Sequence, residues 1–326
     1  MVTLVTGATG FIGSHLARRL IERGETLRIL ARNSDKAESL RALGAEVVQG
    51  NLLDPASLTP ALAGCERVYH VAAQMLAEGV APTAYERGNV EATRNLVDAA
   101  LAAGSVRRLV HTSSAGVYGR LTTPVDENSP PSPSSGYRLS KVRGEEICRD
   151  AAERRGLPTV IARISPVIGA GSKNYLGLAR SISGGSFRLI GNGQNNDHIT
   201  PVEDLVEGLI LCGETPGIDG QTYIIAGDTR ATTRDIVNWF AEALEVPHPP
   251  SGGIPRWPYA AYTRLCELVF QITGRDLPFH YRYAFFLANK TLINTRAKRE
   301  LGFAPSADLK NAIQRAVIQY RREGLV

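Results

Sequence analysis

The chain opens on "VTLVT" (2–6), a short run of apolar and β-branched residues followed by "GATG", which predicts a buried strand. Behind it, "FIGSHLARRLIERG" (11–24) sets Ile12, Leu16 and Leu20 four residues apart, the spacing of one helical face, with Gly24 as its stop. "LRILA" (27–31) predicts a second strand, and "RVYHVAA" (67–73), "RRLVHTSS" (107–114) and "PTVIARIS" (158–165) repeat the theme. Amphipathic helical stretches such as "EATRNLVDAALAAG" stand between them. Helices alternating with nearly continuous apolar strands predict a parallel sheet covered on both faces, the doubly wound α/β class. After about residue 166 the rhythm changes to Gly- and Asn-rich loops, further helices and the proline cluster "VPHPPSGGIPRWP" (246–258). "TYIIAG" (222–227) reads as a late strand returning to the sheet; "YAAYTRLCELVFQITG" (259–274) and the stretch on to "YAFFLA" read mainly as core, with the lining of an apolar cavity as the alternative.

Composition narrows the field. Across 326 residues, 37 basic side chains stand against 32 acidic ones without a basic block, so the net charge of +5 predicts a solvated surface and no nucleic-acid face. Cys65, Cys148, Cys212 and Cys266 lie far apart, and neither they nor the histidines show metal-ligand spacing. Reduced thiols, no metal and a cytoplasmic location are the expectation. The chain starts directly on a strand, which predicts no leader peptide, and no apolar run approaches the roughly 20 residues of a membrane span.

The glycines at 7, 10 and 13 carry the first chemistry. A strand, a glycine-rich turn and a helix N-terminus form an anion site: the first helical N–H groups lack partners, the dipole favours negative charge, and glycine lets the ligand approach the backbone. In this context they predict a dinucleotide's pyrophosphate. The end of the second strand sets the cofactor: an acid there suits the ribose hydroxyls of NAD, and an arginine suits the extra phosphate of NADP. "LARNSDK" places Arg32 there with Lys36 close behind, so NADP is expected, with NAD as the alternative.

"YRLSK" (137–141) puts Tyr137 and Lys141 on one face of a helix that begins near Tyr137. A phenol titrating near about 10 is a poor base at neutral pH. A lysine ammonium and a nicotinamide cation nearby are expected to favour the phenolate. Ser114, at the end of the preceding strand, is placed to donate to the same substrate oxygen.

Together, "TGATGFIG", "TSSAGVYG", "YRLSK" and "HITPVEDLVEG" resemble the extended short-chain dehydrogenases/reductases of the NAD-dependent epimerase/dehydratase family, over nearly the whole chain. The resemblance implies a Rossmann domain over 1–165 plus about 196–227, and a smaller, mostly helical substrate region over 166–195 plus about 228–326. It also implies that Gly7, Gly10 and Gly13, with Phe11 and Ile12, hold the cofactor pyrophosphate. Asn51 and Leu52 take the adenine position, Ala72 and Ala73 border the cofactor, and Asn89 and Val167 complete the cofactor set. Tyr137 is the acid/base, Lys141 tunes it and holds the nicotinamide ribose, and Ser114 orients the substrate oxygen. A small-molecule substrate follows, and a homodimer stays open.

Two branches compete. Asn196 stands where sugar-nucleotide epimerases and dehydratases carry a diphosphate-binding arginine, and "PRWPYAAYTRLCELVFQITG" resembles members of the 3-beta-hydroxysteroid dehydrogenase and dihydroflavonol reductase type. The expectation is an NADP(H)-linked ketone/alcohol oxidoreductase for a fairly apolar substrate. The alternatives are a sugar-nucleotide epimerase or dehydratase, with Lys173 or Arg188 replacing the missing cation, and a non-catalytic dinucleotide binder.

Overall fold

The computed structural model describes residues 1–77, 79–121, 123–250, 253–278 and 286–326. Seven strands form the central sheet: β1 (Val2–Thr6), β2 (Thr26–Ala31), β3 (Glu46–Gln49), β4 (Cys65–His70), β5 (Arg108–Ser114), β6 (Thr159–Ile164) and β7 (Thr222–Ile225). Their order is β3-β2-β1-β4-β5-β6-β7, with every neighbouring pair parallel. β7 returns to the sheet, as its sequence predicts, and takes the outer edge beside β6. β3 escaped the sequence reading because "EVVQ" has only two apolar residues and neither is fully buried.

The chain leaves β1 toward β2 on one side and reaches β4 on the other. The two crossovers diverge there and open a crevice beyond the C-terminal strand ends, the place where open α/β sheets bind ligands. Thr6, His70 and His111 stand side by side across β1, β4 and β5 beneath this crevice. His70 is buried; its Nδ1 lies 2.8 Å from Thr6 Oγ1 and its Nε2 3.0 Å from Thr93 Oγ1. Burial lowers its pKa to about 3, so the ring is neutral and donates through one nitrogen while accepting through the other.

Apolar side chains cover both sheet faces. Leu16, Leu20, Ile29, Leu205 and Leu209 belong to one cluster; Leu4, Leu58, Leu96, Leu109 and Ile161 belong to another. A further cluster lies among the helices Leu176–Ser183, Thr233–Leu244 and Leu309–Arg322, centred on Phe240, Ile313 and Val317. All four cysteines are free and buried. Among the described residues, no helix is long and apolar enough to cross a membrane.

The helix Trp257–Thr273 corrects one expectation. Cys266 and Phe270 are buried, but Trp257 and Ile272 are 75% and 73% exposed, and Leu265 and Leu268 also face outward. Only one face of this helix is core. Residues 279–285 of the same apolar stretch lie outside the described residues.

Candidate active site

The three glycines of the first turn serve three different needs. Gly7 has φ +76°, and a Cβ there would lie 2.6 Å from the Ala72 nitrogen, so both conformation and the close approach of β4's exit require glycine. Gly13 lies inside the helix Phe11–Glu22, where a Cβ would come within 2.1 Å of the Gly7 carbonyl oxygen. Gly10 has ordinary extended geometry, is exposed, and meets only the Gly7 oxygen, at 3.2 Å. A side chain at position 10 would press only on the Gly7 carbonyl oxygen, a tight contact but a milder one than those at positions 7 and 13. The helix has no side-chain cap and no acid in its first turn, so its N-terminal donors and dipole remain available to an anion. These residues fit a dinucleotide pyrophosphate.

Around this cradle the predicted cofactor residues divide. Ile12, Ala73 and Val167 line the crevice, while Ala72 packs against Gly7. Phe11 turns its ring edge-on to His15, 5.5 Å between centroids, and packs near Gly171 instead of facing the crevice. Asn51 is exposed at the end of β3, with Oδ1 accepting from the Leu53 N–H at 3.1 Å. The Leu52 carbonyl accepts from Asn95. Arg32 and Lys36 are both exposed beyond β2, and neither forms an ion pair or hydrogen bond among the described residues. Asn89 sits, buried, in a π-helical turn, Glu86–Glu91. Its Oδ1 accepts from the Gln74 N–H at 2.7 Å, and its Nδ2 donates to the Gln74 carbonyl and to Ser140 Oγ. Asn89 thus ties the β4 exit loop to the Tyr137 helix, with both Nδ2 hydrogens and one lone pair of Oδ1 engaged.

The structure brings Ser114, Tyr137 and Lys141 to one cavity of about 310 Å³. Ser114 ends β5, and its Oγ accepts from the Gly116 N–H at 3.0 Å, which fixes the hydroxyl. Tyr137 lies in the first turn of the helix Gly136–Arg154, capped by Ser135, whose Oγ accepts from the Arg138 N–H. The Tyr85 ring stacks edge-on against Tyr137, with centroids 5.9 Å apart. Lys141, one turn on, donates from Nζ to the Thr112 carbonyl at 2.6 Å.

Electrostatics here differ from the sequence expectation. Burial pushes the Tyr137 phenol up, and the Ser114 hydrogen bond only partly opposes it. Burial also brings Lys141 down to about 8, opposed by nearby Glu145. Desolvation outweighs the local charges, so without a bound cation the phenol stays protonated. Glu145 in turn is fixed by a buried pairing with Arg163 (Nη2 to Oε2, 2.7 Å) and by the Ser113 hydroxyl at 2.6 Å. Sequence reasoning missed Thr112, Ser140, Tyr85 and this Glu145–Arg163 pair. Only Glu145 left a signal, four residues beyond Lys141 on the same helix.

The cavity walls are mostly apolar, with Val71, Met75, Leu76, Leu121 and Leu292 among them. Besides Lys141, three further cations line it, Arg120, Arg138 and Lys290, which the sequence reading did not place at the site. They come from the loop after β5, from the Tyr137 helix and from the segment before Leu292. The cations proposed from sequence lie elsewhere. Arg188 is exposed and donates to its own loop carbonyls, and Lys173 is exposed beside the cavity residue Asn174.

The profile of the NAD dependent epimerase/dehydratase family matches residues 3–226. The chain belongs to this family. It is similar to sterol demethylase protein B of Methylococcus capsulatus, 31% identical with all of both chains covered. It is also similar to the 4-hydroxy-2-methyl-3-oxo-4-farnesyl-3,4-dihydroquinoline-1-oxide ketoreductase of Stigmatella aurantiaca, 30% identical, covering 93% of this chain and 92% of that one. Among solved structures, that of gox2253 matches with a TM-score of 0.83 at 31% identity, covering 100% of this chain and 99% of that one. The chain is an NAD(P)-dependent enzyme of the short-chain dehydrogenase/reductase type.

Proposed function

We propose that this member of the family interconverts a ketone and a secondary alcohol on a largely apolar small molecule, with NADP(H) as its preferred dinucleotide. The observation that carries this reading is the mostly apolar cavity of about 310 Å³ with Tyr137 and Ser114 on its wall. A hydrophobic body gains roughly 25 cal/mol for each Å² it removes from water there. Its reacting oxygen is held by the Ser114 hydroxyl and exchanges a proton with Tyr137. The dinucleotide, when bound, accepts or supplies the hydride. Lys141, tethered to Thr112, keeps a positive charge beside the site below its pKa of about 8. The names of two relatives, a ketoreductase and a sterol-modifying protein, agree with ketone chemistry on apolar substrates. Arg32 and Lys36, exposed and unpaired among the described residues, support the NADP preference.

The substrate class is tested by following NADPH oxidation with long-chain ketones and thermal shifts with UDP and dTDP sugars. Ketone turnover without a sugar-nucleotide shift is expected; a clear shift with UDP, or epimerisation of a UDP sugar, would replace this reading. The dinucleotide preference is tested by calorimetry. The chain is expected to bind NADP more tightly than NAD and Arg32→Asp to reverse the order, whereas equal affinities would remove Arg32 from the site.

A further inference from the structure

We infer that the outward face of the helix Trp257–Thr273 docks on an anionic lipid bilayer, so that the enzyme sits at a membrane surface without spanning it. Trp257, Ala261, Leu265, Leu268 and Ile272 are all exposed. They recur at spacings of four, four, three and four residues, which puts them on one helical face. Thr263, Cys266 and Phe270, the buried residues of the helix, lie on the opposite face. Single exposed leucines need no explanation, but an apolar stripe about four turns long marks a surface that meets something.

Charge says what it meets. Arg256 precedes the helix, Arg264 borders the stripe and Arg275 follows the C-terminal end, and all three are exposed. Arg264 and Arg275 form no side-chain hydrogen bond or ion pair among the described residues, and Arg256 donates to the Leu287 carbonyl. The segment's two acids are held by the body of the protein. Glu267 Oε1 lies 3.4 Å from Arg120 Nε, and the Asp276 carboxylate accepts from the Gly136 N–H at 3.0 Å. The outward side therefore combines apolar side chains, a tryptophan and uncompensated positive charge, as a helix lying in the interface over acidic headgroups does. Tryptophan suits that depth, because its ring is apolar and its indole N–H stays wet. A second copy of the chain fits less well. Antiparallel pairing about the middle of the stripe would bring like charges together, Arg264 on Arg264 and Arg256 near Arg275, with no free acid between them.

The same two acids relate the docked helix to the catalytic cavity. Arg120 lines that cavity, and Gly136 immediately precedes Tyr137. A bilayer on the outer side of the helix would thus lie near the cavity, and apolar small molecules collect in lipid. This last step rests on the ketone/alcohol reading above; the docking itself does not.

The test is flotation of the full chain with vesicles of phosphatidylcholine alone, or with about one third phosphatidylglycerol. Wild type is expected to float with the anionic vesicles at about 0.1 M salt and to bind neutral ones at least about tenfold more weakly. Binding should weaken at about 1 M salt, where the Debye length falls to about 3 Å. Leu265 and Leu268 are half exposed, so Leu265→Glu with Leu268→Glu should abolish flotation at an unchanged melting temperature. Arg264→Glu with Arg275→Glu should remove the preference for anionic vesicles. Tryptophan emission should shift to shorter wavelength on binding, and Trp257→Phe should lose that shift. No wild-type flotation, flotation without anionic preference, or equal flotation of wild type and the leucine pair would overturn the inference. So would a concentration-dependent dimer that the leucine pair dissolves, without vesicle binding, since it would give the face to a second copy. Should the leucine pair fail to fold by circular dichroism, the arginine pair and the Trp257 emission decide the matter. No turnover is measured, so a negative result leaves the ketone/alcohol reading as it stands.

Discussion

Lys141 Nζ and the carbonyl oxygen of Thr112 lie 2.6 Å apart, in a hydrogen bond that joins the helix Gly136–Arg154 to strand β5 beneath the cavity. The ammonium is withdrawn from water to reach it, and burial lowers its pKa from 10.5 to about 8. A base whose folded pKa is depressed binds fewer protons folded than unfolded between those two values. Stability therefore rises with pH across the window from about 8 to 10.5, and the cost of burying the ammonium is fully present below it. In the dinucleotide-free protein, the unfolding free energy of wild type relative to Lys141→Met should climb through this window by up to a few kcal/mol. Parallel pH profiles for the two proteins would show that Lys141 is not desolvated.

Glu145 supports the same lysine from one turn further along the helix. It is 1% exposed, its partner Arg163 3%, and the Ser113 hydroxyl completes its hydrogen bonds. Glu145→Gln leaves the arginine charge buried and unpaired, so a loss of about 3–5 kcal/mol is expected in urea denaturation. Adding Arg163→Met to that variant should restore part of the loss, because the unpaired guanidinium is then gone. A loss below about 1 kcal/mol would mean that water reaches the pair.

The first-turn glycines separate folding from binding. Gly7→Ala forces a side chain into a left-handed conformation and against the Ala72 backbone, so it should lower the melting temperature by several degrees. Gly10→Val meets only the Gly7 oxygen at 3.2 Å and should remain folded by circular dichroism, yet lose dinucleotide binding by calorimetry. Retained binding in Gly10→Val would detach this turn from the cofactor.

Much of this was legible because strands such as "VTLVT" and "RRLVHTSS" are buried on both faces and show as apolar runs. Tyr137, Lys141 and Ser114 were legible because local spacing sets their placement: one helical turn for the pair, one strand end for the serine. β3 was not, since a short edge strand buries too little to leave a pattern. Neither was the occupied state of Asn89, which depends on Gln74 and Ser140, 15 and 51 residues away. The phenol's upward shift also escaped, because desolvation depends on packing by distant segments such as Tyr85.

In the proposed reaction Tyr137 moves the proton in a cavity that its ring helps to wall. Tyr137→Phe removes the hydroxyl and keeps the ring packed against Tyr85. The measurement is kcat with a long-chain ketone alongside dinucleotide affinity in the same variant. A fall in kcat of at least about 10²-fold, the usual scale of general acid–base catalysis, is expected, with affinity changed less than about threefold. Undiminished turnover in Tyr137→Phe would contradict it.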